Sequence, residues 1–199
     1  MDLRSPNFAA SDYIVVDFNG NLYDYHSGIK DLKEGRIKFI GDPKKRIKED
    51  FLRILRYFRF YAYYGKKNID NSQINIFNNL SSNLKKLSNE RIYSEFKQIL
   101  LSKNSYKTLK LMENSGVLKY IIFNNNHLEK IKFLNKLNKI DNLIDFSTRL
   151  VILLNQKNLS KVSKNLKLSK IENSKIKTIS YLSKDFDFKD FERNKIKYR

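Results

Sequence analysis

Glycine and proline are nearly missing from this chain, at 6 and 2 of 199 residues. These two residues punctuate a backbone, so their scarcity leaves long uninterrupted segments and points to helices. The spacing of apolar residues then separates helix from strand. Residues 13–40 read as strands: YIVVDF is β-branched and apolar, NG is a hairpin signal, NLYDY follows, and RIKFI is a second short apolar run. From Asp42 onward the period becomes helical. GDPKKRIKED leads into a helix with Phe51, Leu55, Phe58 and Ala62 at helical spacing and Gly65 just past its end. Residues 70–82 predict a short helix burying Ile74 and Phe77. Ser88 is placed to cap a helix that buries Ile92, Phe96 and Ile99. SYKTLKLMENSGVLKYII predicts another helix, stopped near Gly116. HLEKIKFLNKLNKI, LIDFSTRLVILLN and KIENSKIKTISYL continue the pattern, separated by Asn-, Ser- and Lys-rich turns. The expected fold is mainly α: a short β-hairpin followed by an all-α body.

Hydrophobic residues make up 41% of the chain and aromatics 13%, enough for a packed core. There is no cysteine, which excludes disulfides, thiolate metal sites and a cysteine nucleophile. No apolar run approaches the ~20 residues of a membrane span. MDLRSPNFAASDY lacks the apolar stretch of a signal peptide, so the expected compartment is the cytoplasm, with no membrane partner. The net charge of +19 suggests a polyanion such as RNA. A genome-wide bias toward Lys, Asn and Ile would give the same excess.

Several chemistries are poorly served. His26 and His127 are far apart and lack ligand-type spacing, and there is no Gly-rich phosphate loop. Asp185 and Asp187 in KDFDFKDF are a D-x-D pair of the kind that can hold two metal ions. They sit among lysines with no preceding Gly-rich turn, and an exposed polar edge alternating with Phe186 and Phe188 explains them more simply.

EDFLRILR, residues 49–56, carries more information. Read as one helix, it places Asp50 and Arg53 side by side, with Arg56 and Arg59 continuing the row. A carboxylate only accepts hydrogen bonds and a guanidinium only donates them. Adenine and cytosine each present an amine donor beside a ring-nitrogen acceptor, whereas guanine and uracil reverse that order. An Asp–Arg pair can therefore accept A and C and reject G and U. Arg56 and Arg59 could then neutralise phosphates. The same spacing also suits an ordinary surface ion pair, worth about 0.2–0.5 kcal/mol.

The context of this stretch resembles the class II tRNA nucleotidyltransferase and bacterial poly(A) polymerase family, which adds CCA or A residues to RNA 3′ ends. DYHSGIKDL matches the family's linker motif at Asp24, Gly28, Asp31 and Leu32, with Ser27 where the family usually has Gly. GRIKFIGDPKKRIKEDFLRILRYFRFYAYYG follows, with Gly35, Gly41, Asp42, Pro43 and Arg46 leading into the nucleotide-binding helix. SNERIYSEFKQIL looks like the neck motif. The resemblance covers roughly residues 13–180 and is most specific between 24 and 65.

The resemblance implies a β-hairpin remnant of the nucleotidyltransferase palm at 1–40, a helical neck with nucleotide- and RNA-binding roles at 41–120, and a helical body and tail at 121–199. It implies that Asp50 and Arg53 select ATP and CTP, that Arg56 and Arg59 add nucleotide contacts, and that Glu49, Glu90 and Arg91 shape the pocket. The family's Gly-Gly turn and Arg-Asp pair, and the D-x-D strand that holds the catalytic Mg²⁺, have no counterpart in these residues. LRSPNFAASD stands where the next motif belongs, with Arg4 and Phe8 as its remaining matches. The expectation is therefore no catalytic or metal residue in this chain, and no activity without a palm, which a separately encoded chain could supply. RNA, most of all the tRNA 3′ region, is the expected partner. A non-catalytic RNA-binding helical module, or a relic, is the alternative, and a purely structural helical protein is a third reading.

Overall fold

The computed structural model describes residues 14–122, 127–137, 144–154 and 156–182. Among the described residues, ten α-helices follow a two-stranded antiparallel hairpin, so the fold is mainly α. Strands β1 (Ile14–Val16) and β2 (Leu22–Asp24) pair with Val15 opposite Tyr23. Asp17 organises the turn, its carboxylate accepting from the Asn19 and Asn21 N–H groups at 2.9 and 2.8 Å. Arg4, Phe8, Asp185, Asp187, Phe186 and Phe188 lie outside the described residues.

The strand reading of 13–40 holds only for this hairpin. Residues Gly28–Glu34 form helix α1, and 36–40 form no strand. The Asp24 carboxylate accepts from the Gly28 and Ile29 N–H groups at 2.7 and 2.9 Å, which satisfies the first orphan donors of a helix. Ser27 precedes it with φ 59°, in the left-handed region that favours glycine. The glycine that the resemblance places at this position would adopt that conformation more readily. RIKFI pairs with no strand among the described residues. Tyr57 donates to its Ile37 carbonyl at 3.0 Å, and Phe39 stacks on the Tyr57 ring. Asp31 ties α1 to this segment through Lys38 at 2.6 Å and Arg36 at 3.6 Å.

Helix α2 (Pro43–Glu49) starts with the expected signals: Asp42 caps Lys44 and Lys45, and Pro43 fills the first turn. Helix α3 (Leu52–Tyr64) buries Leu55, Phe58 and Ala62, whereas Phe51 lies just ahead of it and is only partly buried. Gly65 ends α3; a Cβ there would come within 2.6 Å of the Tyr61 ring. Helix α4 (Asn71–Leu80) buries Phe77 but leaves Ile74 partly exposed, a correction to the expected pair. A 3₁₀ segment, Ser81–Lys86, leads to α5 (Asn89–Leu101), which Ser88 caps and which buries Ile92, Phe96 and Ile99. Helix α6 (Ser105–Asn114) ends before Gly116, whose φ is 67°.

Helices α7 (Leu128–Leu137), α8 (Phe146–Leu153), α9 (Gln156–Asn165) and α10 (Lys170–Leu182) complete the body. Helix α9 falls in a stretch whose Asn-, Ser- and Lys-rich composition predicts a turn. Its Leu159 and Val162 are nevertheless buried. Helix α5 is central: it packs on α3, α6 and α8, and α8 in turn receives α7 and α10. Among the described residues, no helix is long and apolar enough to cross a membrane.

The start of α10 is fastened to α5 by a polar knot. Ser169 and Glu172 cap each other's N–H groups, both at 3.2 Å. Tyr93 donates to the other Glu172 oxygen, and Lys97 reaches that oxygen at 3.0 Å. Burial pushes the Glu172 carboxyl up, but hydrogen bonds from Tyr93, Lys97 and Ser169 outweigh it and hold the group at about 2, below the usual 4.5. A depressed carboxyl stabilises the fold above its unfolded value and loses that contribution as pH falls through the folded value. The α10 docking should therefore weaken between about pH 4.5 and pH 2, by roughly 2 kcal/mol once partial solvation is allowed for. In Glu172→Gln, acid titration of the melting temperature should lack this component. An identical acid profile would show that the knot is not stabilising.

Candidate functional site

The stretch EDFLRILR does not form one helix. Asp50 lies between α2 and α3 with φ −151° and ψ 110°, an extended conformation. An aspartate can bond the backbone two residues on, and it does so here, accepting from Leu52 N–H at 3.0 Å. The expected helical Asp50–Arg53 neighbour pair is accordingly replaced by two other pairings. The second Asp50 oxygen meets Arg91 of α5 at 2.8 Å. Arg53 donates one Nη1 to Glu49 at 2.7 Å and to the Arg46 carbonyl at 2.9 Å. The same Glu49 oxygen accepts from Arg46 at 2.9 Å, so one carboxylate orients two arginines.

Arg56 and Arg59 continue along α3 toward α5. There they meet Glu95, buried in the line of Ile92, Phe96 and Ile99. Arg59 Nε stands 3.2 Å from a Glu95 oxygen. Burial raises the Glu95 carboxyl, and the charges of Arg59, Arg56 and Arg91 oppose that rise. Burial also lowers the Arg56 guanidinium, opposed by Glu95 and reinforced by Arg59. The group thus comprises five arginines (46, 53, 56, 59 and 91) and three carboxylates (Glu49, Asp50 and Glu95), with a positive excess at the α2–α3–α5 junction.

Of the sequence-designated residues, the structure gathers Glu49, Asp50, Arg53, Arg56, Arg59 and Arg91. Glu90 turns away and pairs with Lys167, at 2.7 Å, on an exposed edge. Glu95 escaped the sequence reading. The signal was available: it is a lone acid at the apolar spacing of α5, four residues after Arg91. Such an acid needs a cation opposite it when buried. Among the described residues no group of three or more His, Cys, Asp or Glu side chains is placed to hold a metal ion, and the three carboxylates at the junction are each engaged by an arginine.

Residues 69–124 match a family described as "Probable RNA and SrmB- binding site of polymerase A". The mouse mitochondrial CCA tRNA nucleotidyltransferase 1 is 35% identical over 167 residues, which is 80% of this chain and 37% of that protein. The CCA-adding enzyme of Staphylococcus epidermidis is 30% identical over 168 residues, covering 82% of this chain and 39% of its own. The chain therefore spans a little over a third of the length of the curated relatives it matches. Among solved structures, the Thermotoga maritima CCA-adding enzyme complexed with tRNA aligns with 81% of this chain and 42% of its own, at a TM-score of 0.60 and 20% identity. CCA-adding enzymes with ATP and with CTP align over 81% of this chain and 42% and 41% of theirs, with TM-scores of 0.58 and 0.56 at 23% and 22% identity. At these identities the solved structures speak for the fold alone. Taken with the sequence relatives and the matching RNA-binding family, they show that the chain belongs to the class II CCA-adding enzyme and bacterial poly(A) polymerase family.

Proposed function

We propose that this chain supplies the nucleotide- and RNA-binding helical part of a template-independent RNA nucleotidyltransferase that adds CCA or A residues. The observation that carries this reading is the arginine cluster at the α2–α3–α5 junction. Arg53, Arg56 and Arg59 share one helix, Arg91 faces them from α5, and buried Glu95 holds the row in place. Planar guanidiniums in a fixed row suit phosphates, which they can bind bidentately. Asp50 and Arg53 supply the acceptor and donor for reading ATP or CTP once a base displaces Arg91 and Glu49 from them. Phosphoryl transfer itself requires metal-bound carboxylates. In this proposal a palm provides them, on the same polypeptide or on a separately encoded one, and the 14–24 hairpin belongs to its edge. Residues 41–120 then form the neck and 121–199 the body.

The pairings of Asp50 and Arg53 also favour a second reading. Both side chains are engaged without any base, as in a helical module that binds RNA through phosphates alone.

Both readings require RNA binding governed by charge. A site covering about three phosphates should lose roughly twentyfold in affinity for single-stranded RNA between 50 and 200 mM salt. Titrating a tRNA 3′-end oligonucleotide at several salt concentrations measures the slope. Absence of binding at low salt would assign the +19 charge to composition and retire both readings.

A further inference from the structure

A second cleft lies on another side of α3. It has a volume of about 410 Å³ and is bounded by the segment after α1, by Tyr57 and Tyr61 of α3, and by the start of α4. At ~100° per residue, Tyr57 and Tyr61 stand about 150° around α3 from Arg56 and Arg59. The cleft is therefore separate from the arginine row. Two polar atoms of its lining, the Tyr61 hydroxyl and Gln73 Nε2, are buried without a hydrogen-bond partner among the described residues. Tyr61 is only 2% exposed. Its neighbour Tyr57 one turn earlier shows the usual solution, donating to the Ile37 carbonyl. Buried polar groups are nearly always paired, so two orphans lining one cleft leave hydrogen-bonding capacity there for a ligand. Arg36, Lys38, Lys67 and Asp70 stand in the same lining, Arg36 and Lys38 being paired with Asp31.

We propose that this cleft binds one nucleotide unit, with its phosphate at the Lys67 rim and its base edge against Tyr61 and Gln73. A hydroxyl and an amide offer both donors and acceptors, as a base edge requires. Phosphate alone would not fill the space, whereas the volume lies within the ~300–1,000 Å³ of small-molecule sites. Asp70 makes no capping hydrogen bond to α4 and is the acceptor a ribose hydroxyl would meet. Asp70 and Gln73 also fall within the stretch that matches the RNA-binding family. The unit is a free mononucleotide or one nucleotide of an RNA strand, and the chemistry is common to both.

The test titrates AMP, CMP, GMP, UMP, inorganic phosphate and a short oligoadenylate into the full 199-residue chain. The same titrations on Arg56→Ala separate the cleft from the arginine row, since binding here should survive that substitution. At least one mononucleotide should bind more tightly than phosphate. Tyr61→Phe should weaken the mononucleotide about tenfold, the effect of one buried hydrogen bond, and leave phosphate unchanged. Lys67→Ala should weaken both. Tyr61→Phe keeps the ring, so its melting temperature should hold or rise while the nucleotide-induced shift shrinks. Displacement of the mononucleotide by tighter-binding oligoadenylate would make the occupant RNA, and failure to displace it would make it a free nucleotide. Unchanged mononucleotide affinity in both Tyr61→Phe and Gln73→Leu, or no mononucleotide binding by Arg56→Ala at low salt, would overturn the proposal without touching the arginine site.

Discussion

Replacing Arg149 with alanine is expected to cost about 3–5 kcal/mol, the largest single loss of stability among the side chains considered. Arg149 belongs to α8 and is completely buried. Its Nη1 donates to the Leu100 carbonyl at 3.0 Å, to Asn135 Oδ1 at 2.9 Å and to Ser105 Oγ at 3.3 Å, and its Nε reaches the Ile144 carbonyl at 3.4 Å. One guanidinium therefore joins the end of α5, the start of α6, α7 and α8. Alanine would strand those acceptors and leave a cavity where a long side chain stood. For a chain of this size the melting temperature should fall by roughly 10–15 °C. Arg149→Lys should recover only part of the loss, because a single ammonium cannot match the spread of a guanidinium fork. A fall of less than about 2 °C for Arg149→Ala would show that the helices are held by apolar packing alone.

How much of this was readable beforehand depended on whether a signal was local. Asp42, Pro43 and Ser88 marked helix starts because capping is a contact within a few residues. Ile92, Phe96 and Ile99 marked a buried face because their period is that of a helix. Helix α1 was missed because its cap comes from Asp24, four residues ahead of Gly28, across a left-handed Ser27. The break at Asp50 was missed for a related reason. Helical spacing continues across it, and only the bond to Leu52 and the pairing with Arg91, 41 residues away, turn the chain. Arg149 and Glu95 read as surface charge by type, and their burial follows from partners supplied by distant segments. The arginine row itself was legible, but its pairings were not, since Asp50 and Arg53 each take a partner other than the other.

Those pairings set the second large effect. Arg56 is drawn toward Glu95 and lies beside Arg59, where a nucleotide's phosphates would meet concentrated positive charge. Arg56→Ala should weaken ATP, CTP, GTP and UTP alike, by about thirtyfold, as expected for losing charge-assisted hydrogen bonds of ~2 kcal/mol. Arg53→Ala should act differently. It removes the donor half of the proposed base-reading pair, and its structural cost is confined to the contacts with Glu49 and the Arg46 carbonyl, about 1 kcal/mol.

The most direct measurement of the central claim is the affinity of the unmodified chain and of Arg53→Ala for each of the four nucleoside triphosphates, with melting temperatures on the same samples. The account predicts that ATP and CTP bind the unmodified chain better than GTP and UTP, and that Arg53→Ala erases this preference with only a small change in melting temperature. Equal affinities for all four in the unmodified chain, together with a large thermal loss in Arg53→Ala, would contradict it and make the arginine row a structural brace.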